Sequence, residues 1–288
     1  MDKFVINGGN ALSGEIRVGG SKNAALKIYP VALMTEEPIS VFGAPEIEDC
    51  KRAEEMLQRL GHLVEKENGI TKIQLQSKKC LNLPDDLVNK FRASIMFVGP
   101  LLATCGEVYF PHPGGCVIGA GTRPIDIFLD GFSKMGAKAE IKEGAYRLTA
   151  SKLKGAKIFF PKVSVTGTES LMMTACLAEG ETILKNCAME PEIPALAEFL
   201  NSIGAKIEGA GTSVIKIKGV KKLAGGEYKI IPDRIEAGTF ALMAAALRSN
   251  LVIKNLIPDH IEILWSFFDI IGVDYGLGDS EVEIRPSK

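Results

Sequence analysis

The sequence predicts an α/β protein built from repeated αβαββ units, with helices packed inside and sheets outside. Three observations carry that expectation. A helix-like segment ending in glycine recurs at Arg59-Leu60-Gly61, Lys134-Met135-Gly136, Ser202-Ile203-Gly204 and Ile270-Ile271-Gly272, a period of roughly 70 residues that marks an internal repeat. Each glycine reads as the residue just past a helix, where a positive φ closes the last turn without a Cβ penalty. The segments around each glycine repeat the same order, and three stretches, Met96 to Ala103, Leu171 to Ala178 and Phe240 to Leu247, are apolar nearly all round. Such helices belong inside a layer of other helices, which leaves the sheets outside.

In the first repeat the elements read as a helix over Asn23 to Met34, a strand over Ile39 to Phe42 and a helix over Asp49 to Leu60. The later repeats follow with helices over Arg92 to Ala103, Thr168 to Ala178 and Glu236 to Leu247, and strands beginning near Val108, Thr182 and Leu251. Two strands joined by a turn follow each glycine, as in Ala205 to Glu208, a Gly-rich turn, then Val214 to Lys218.

With 288 residues, 46% of them hydrophobic, the chain can bury a substantial core in about two domains. Its 34 Lys+Arg and 35 Asp+Glu nearly cancel, so no global field points to nucleic acid or an anionic membrane, and any anion site must be local. Six cysteines without a CxxC pair suit a compartment where thiols stay reduced, read here as the cytoplasm. No apolar leader or stretch of membrane-spanning length is expected.

Two segments could carry chemistry. Gly19-Gly20-Ser21-Lys22-Asn23-Ala24-Ala25 turns from an extended stretch into a helix, and backbone N–H groups with a lysine at a helix start suit a phosphate or carboxylate. Its spacing is not that of a Walker A loop. A solvated lysine beside a cap is the plainer reading of this segment alone. The second segment, Pro111 to Pro124, is rich in glycine and reads as a long loop; Cys116 has no apolar neighbours to bury it there, and Arg123 could hold a thiolate or a nearby anion. Arg123-Pro124-Ile125-Asp126 then opens a helix, and Lys162-Val163-Ser164-Val165 repeats the theme of polar groups at a helix entry, although ordinary capping could explain both. The three histidines lack any zinc-ligand spacing, so no metal is expected, and Trp265 reads as core.

With Ser21-Lys22-Asn23-Ala24-Ala25, Phe91-Arg92-Ala93-Ser94, Pro113-Gly114-Gly115-Cys116, Arg123-Pro124-Ile125-Asp126, Lys162 to Val165, Glu190-Pro191-Glu192-Ile193 and Pro232 to Thr239 in this order, the chain resembles the enolpyruvyl transferases. The resemblance is to the branch that acts on UDP-N-acetylglucosamine, because the shikimate-pathway branch lacks the cysteine loop. It implies inside-out α/β barrels of three repeats each. Residues 22–227 would then complete one barrel, and residues 1–21 with 228–288 would form part of a second.

The same resemblance implies transfer of enolpyruvyl from phosphoenolpyruvate to the sugar 3-hydroxyl with release of phosphate, the first committed step toward peptidoglycan, without metal or organic cofactor. Lys22 and Asn23 would meet phosphoenolpyruvate and the sugar, and Cys116 would donate a proton and form a covalent adduct. Arg92, the segment Arg123, Pro124, Ile125, Asp126 and Ile127, and the segment Lys162, Val163, Ser164 and Val165 would hold the UDP-sugar. Family members have six repeats, and the last two, which have no counterpart in this sequence, carry the aspartate base and several phosphate-gripping arginines. Three explanations stay open, a truncated chain, a remainder carried by a separate subunit and a shortened relative that pairs with itself, and the alternative functions are a non-catalytic UDP-sugar-binding relative and a subunit needing a partner chain.

Overall fold

The computed structural model describes residues 3–77, 82–114, 125–142 and 144–287. The chain divides into a smaller domain, Met1–Ser21 with Ile231–Lys288, and a larger one, Lys22–Ile230.

The αβαββ order recurs four times. Among the described residues of the larger domain, the strands Ile39–Phe42, Glu107–Pro111 and Glu181–Lys185 each follow a core helix, and each pairs antiparallel with the second strand of its own hairpin. Gly226–Lys229 pairs parallel with Ile39–Phe42, in the register Gly226 to Ile39, and so ties the end of the third repeat to the first. In the smaller domain Ser13–Arg17 pairs parallel with Asn250–Lys254, beside the hairpin Tyr275–Leu277 and Glu281–Ile284. Gly61, Gly136, Gly204 and Gly272 all have positive φ, between 74° and 105°, as the repeat grammar required.

Three core helices run through the larger domain: Lys22–Ile28 continued by a 3-10 turn over Tyr29–Met34, a 3-10 turn over Arg92–Phe97 continued by Val98–Cys105, and Val165–Cys176. The 3-10 segment at residues 29–34 replaces the continuous helix expected from the sequence. Pro30 has no N–H to donate to the preceding turn, and the tighter winding accommodates it. From Gly167 onward Val165–Cys176 is buried along every face. The carboxyl ends of the three helices, at Met34, Cys105 and Leu177, line one cavity of about 450 Å3, so their amino ends, at Lys22, Arg92 and Val165, lie toward the opposite pole.

The helices of the fourth repeat are covered on one face only. In Arg234–Ala246 only Ala237, Ala241 and Ala244 are buried, and Leu242 is 51% exposed. In Glu262–Ile271 only Trp265 and Phe268 are buried, while Ile263 and Ile270 are 83% and 79% exposed. The smaller domain contains a single αβαββ repeat, so these two helices bury one face on their own sheet and leave the other apolar face open.

Cys50, Cys176 and Cys187 are free and buried. Among the described residues no helix is long and apolar enough to cross a membrane, and no group of three metal-ligating side chains occurs.

Candidate active site

The described candidates all lie at helix entrances of the larger domain. Lys22 and Asn23 open the first core helix with exposed side chains. Lys22 Nζ lies 2.6 Å from Asp49 Oδ2. Asp49 also faces Arg52 Nη1 at 3.8 Å, and the same Nη1 donates to Lys90 O at 2.8 Å. That chain of contacts ends two residues before Arg92, the half-buried first residue of the second core helix. Lys22 and Arg92, distant in sequence, therefore share one neighbourhood through Asp49 and Arg52.

The other candidates form a second group. Ile125 is buried at the N-cap of Asp126–Lys134, Asp126 is exposed in its first turn, and Ile127 is partly buried. A Cβ built on Gly167 would stand 3.4 Å from Ile127 Cγ2, so this entrance abuts that of the third core helix. There Ser164 is the N-cap, its Oγ accepting from Gly167 N at 3.1 Å. Lys162 and Val163 precede it with exposed side chains. Cys116, Arg123 and Pro124 lie outside the described residues.

A buried ion pair joins the two groups. Lys27, on the helix opened by Lys22, places Nζ 3.1 Å from Glu169 Oε2 on the helix capped by Ser164. It also donates to Asn23 O at 3.0 Å. Neither Glu169 oxygen has a well-directed hydrogen bond among the described residues, so the contact with Lys27 is close but poorly aligned. Burial raises the Glu169 carboxyl to about 7; Lys27 opposes the rise, and Glu192 and Glu190 add to it. Glu192 is itself buried, at the start of Glu192–Ser202.

The sequence reading missed Asp49, Arg52, Lys27 and Glu169 as neighbours of the site. The i,i+3 spacing of Asp49 and Arg52 on one helix was the only local signal. Chemically, the arrangement offers Lys22, Arg52, Arg92 and Lys162 near helix amino ends, which suits a ligand with more than one anionic group.

Glu169 has a measurable consequence. A carboxyl held above its usual value contributes stability that is fully present below about 4.5 and is lost as pH rises through about 7. Chemical denaturation across that interval is expected to show a decline of about 1–3 kcal/mol, absent in Glu169→Gln. His62 works in the opposite sense. Burial lowers its pKa against the hydrogen bonds to backbone at Ala32 and Leu57, so its contribution is present above 6.5 and is lost as pH falls through the lowered value. Comparing wild type with Glu169→Gln cancels the histidine.

Comparison with known proteins gives this geometry its context. Residues 6–285 match the family described as EPSP synthase (3-phosphoshikimate 1-carboxyvinyltransferase). UDP-N-acetylglucosamine 1-carboxyvinyltransferase 1 of Carboxydothermus hydrogenoformans is 49% identical over 91% of this chain and 62% of its own length. UDP-N-acetylglucosamine 1-carboxyvinyltransferase 3 of Caldanaerobacter subterraneus subsp. tengcongensis is 43% identical over 99% of this chain and 68% of its own length. The chain thus spans about two thirds of these curated relatives, 62% and 68% of their lengths. Among solved structures, the enolpyruvyl transferase NikO from Streptomyces tendae superposes with a TM-score of 0.85 at 22% identity, covering 98% of this chain and 67% of that one. An EPSP synthase from Acinetobacter baumannii gives 0.74 at 20% identity, covering 96% and 65%. At such identities the two structures speak for the fold, while the profile match and the closer sequences speak for descent; the chain belongs to the EPSP synthase family of carboxyvinyltransferases.

Proposed function

We propose that this chain binds UDP-N-acetylglucosamine and phosphoenolpyruvate and takes part in enolpyruvyl transfer to the sugar 3-hydroxyl, in the service of peptidoglycan synthesis in the cytoplasm. The observation that carries this reading is the identity of 49% with a relative bearing that activity in its name. The local chemistry supports it. Lys22 and Arg92 meet around Asp49 and Arg52, and a second entrance with Lys162, Val163, Ser164 and Val165 is tied to the first through the Lys27–Glu169 pair.

In the proposed reaction the 3-hydroxyl gives its proton to a general base as its oxygen bonds to C2 of phosphoenolpyruvate, and a proton is added at C3. Loss of a proton from C3 and departure of phosphate from C2 then restore the double bond in the product. Lys22 and the arginines hold the phosphate and carboxylate, which are present in both the reactant and the tetrahedral intermediate. Cys116 supplies the proton to C3. A thiol with an ordinary pKa near 8.5 suits that task, since modest local charge moves it between its two forms near neutrality. Arg92, Arg123, Pro124, Ile125, Asp126 and Ile127 hold the nucleotide sugar with the Lys162 to Val165 entrance.

The test has two arms. Calorimetric titration of the chain with UDP-N-acetylglucosamine is expected to show saturable binding, and mass spectrometry after exposure to fosfomycin, the epoxide that alkylates the loop cysteine of the branch acting on that sugar, is expected to show one adduct on Cys116 that Cys116→Ser abolishes. Phosphate release from the two substrates then separates an enzyme from a binding protein. A chain that neither binds the nucleotide sugar nor takes up the epoxide at Cys116 overturns the reading.

A further inference from the structure

Lys27 is 5% exposed, and Glu169 is fully buried. Lysine is among the residues least often buried, because an ammonium loses most of its hydration there and must recover it from charged or polar partners. Among the described residues the Lys27 ammonium has two such partners, and they lie on different helices. One is Asn23 O, a full turn earlier on its own helix at 3.0 Å. The other is the Glu169 carboxylate at 3.1 Å, on the helix that begins at Val165. A residue four positions after Asn23 lies on the same face of the helix, so the side chain can reach both groups at once.

The location is specific. Asn23 and Lys22 form the first turn of a helix only seven residues long before it tightens into the 3-10 segment at Tyr29. So short a helix has little cooperative stability of its own. Its outward anchor is the exposed pair of Lys22 with Asp49, which solvent weakens. Inward it is held by the buried Ala24, Ala25, Leu26 and Ile28 and by the polar contacts of Lys27. Glu169 in turn is set in the most deeply buried helix of the domain, one turn after Ser164 and Val165. Removing the lysine would take away the polar tie between the first turn and Glu169, and would leave that carboxyl beside Glu192 and Glu190 without the Lys27 cation.

From this geometry we propose that Lys27 is a positioning residue: its ammonium clamps the backbone of Asn23 to Glu169 and so fixes the Lys22–Asn23 turn relative to the entrance at Ser164. The consequence for ligands rests on the function proposed above, whereas the clamp itself is a property of the free protein. The lysine touches no reacting atom. Its effect is on where the first turn sits.

The experiment uses the full chain with three variants, Lys27→Met, Lys27→Arg and the double variant Lys27→Met with Glu169→Gln. In the free protein, NMR follows the Asn23 side-chain amide and the Glu169 carboxyl carbon through a pH titration. Lys27→Met is expected to displace the Asn23 signals and to move the Glu169 transition upward, because the cation opposing it is gone. Lys27→Arg is expected to keep both near their wild-type positions. The double variant leaves no unpaired buried charge, so it should fold even if Lys27→Met does not, and it should show the same Asn23 displacement. With UDP-N-acetylglucosamine as the probe, the Kd is expected to rise about tenfold in both methionine variants and to recover with arginine. Unmoved Asn23 signals in the folded methionine variants, or a lower melting temperature with unchanged Kd, would make Lys27 merely structural and overturn the proposal. If the wild-type chain does not bind the nucleotide sugar, the free-protein signals decide the clamp by themselves, and the proposed function falls if the epoxide also fails to add at Cys116.

Discussion

Phe268→Ala is expected to destabilise the smaller domain by about 3–5 kcal/mol, the usual cost of deleting a fully buried phenylalanine and leaving its cavity. Phe268 has no exposed surface. Its ring packs edge-on against Trp265 and Tyr275, each at 5.9 Å between centroids. The core around it is small: alanines from one helix, a few branched side chains from the sheet, and these aromatic rings. With one face of each helix already exposed, little neighbouring side-chain mass can collapse into the gap. Trp265 is the chain's single tryptophan. It is 4% exposed and donates from Nε1 to Pro258 O at 3.0 Å, so its fluorescence reports this domain alone. A red-shifted emission and a midpoint lowered by about 15 °C or more are expected. An unchanged midpoint would show that the aromatic cluster is not the domain's main support.

The second large effect is Gly219→Ala in the larger domain. Gly219 follows the strand Val214–Lys218, and its N–H donates to Gly180 O at 2.9 Å. A Cβ there would penetrate the carbonyl oxygen of Ala178 and stand 2.8 Å from its carbon. Both atoms are backbone, at the end of the most deeply buried helix, and no rotamer change can relieve the overlap. A loss of about 3 kcal/mol is expected, lowering the melting temperature read by far-ultraviolet circular dichroism by about 10 °C. Gly238→Ala is the control of opposite sign. Gly238 lies within the helix Arg234–Ala246, and its nearest neighbour would be Leu264 Cδ2 at an ordinary 3.7 Å. Alanine there should gain up to about 1 kcal/mol from its better helix propensity. A loss comparable to that of Gly219→Ala would mean that the spacing between these helices is tighter than the contact distance implies.

Much of the fold was legible in the sequence because its signals are local. The strands Ile39–Phe42 and Val214–Lys218 have the bounds expected of them, and the four repeat glycines adopt the positive φ that a helix-ending glycine favours. The glycine is chosen by the backbone of its own turn, so its meaning survives without knowledge of the rest of the molecule. Pro30 carries an equally local message: it sits in the first turn of the 3-10 segment that forms the second half of the first core helix. The candidates at helix entrances were legible for the same reason, since a cap and the first turn it serves are neighbours in sequence.

By itself, the sequence determined the αβαββ repeat, the places where helices begin and end, and which entrances carry lysine, arginine and hydroxyl groups. Only the tertiary structure decided which faces are covered and which charges meet. The helix Arg234–Ala246 is as apolar as its counterpart Val165–Cys176, yet it buries only three alanines, because burial depends on what packs against a face and not on the composition of that face. Likewise, nothing in the chain near Lys27 announces Glu169. Their pairing exists because two helices from different repeats are packed side by side in a core that excludes water, where a charge must find its partner across space.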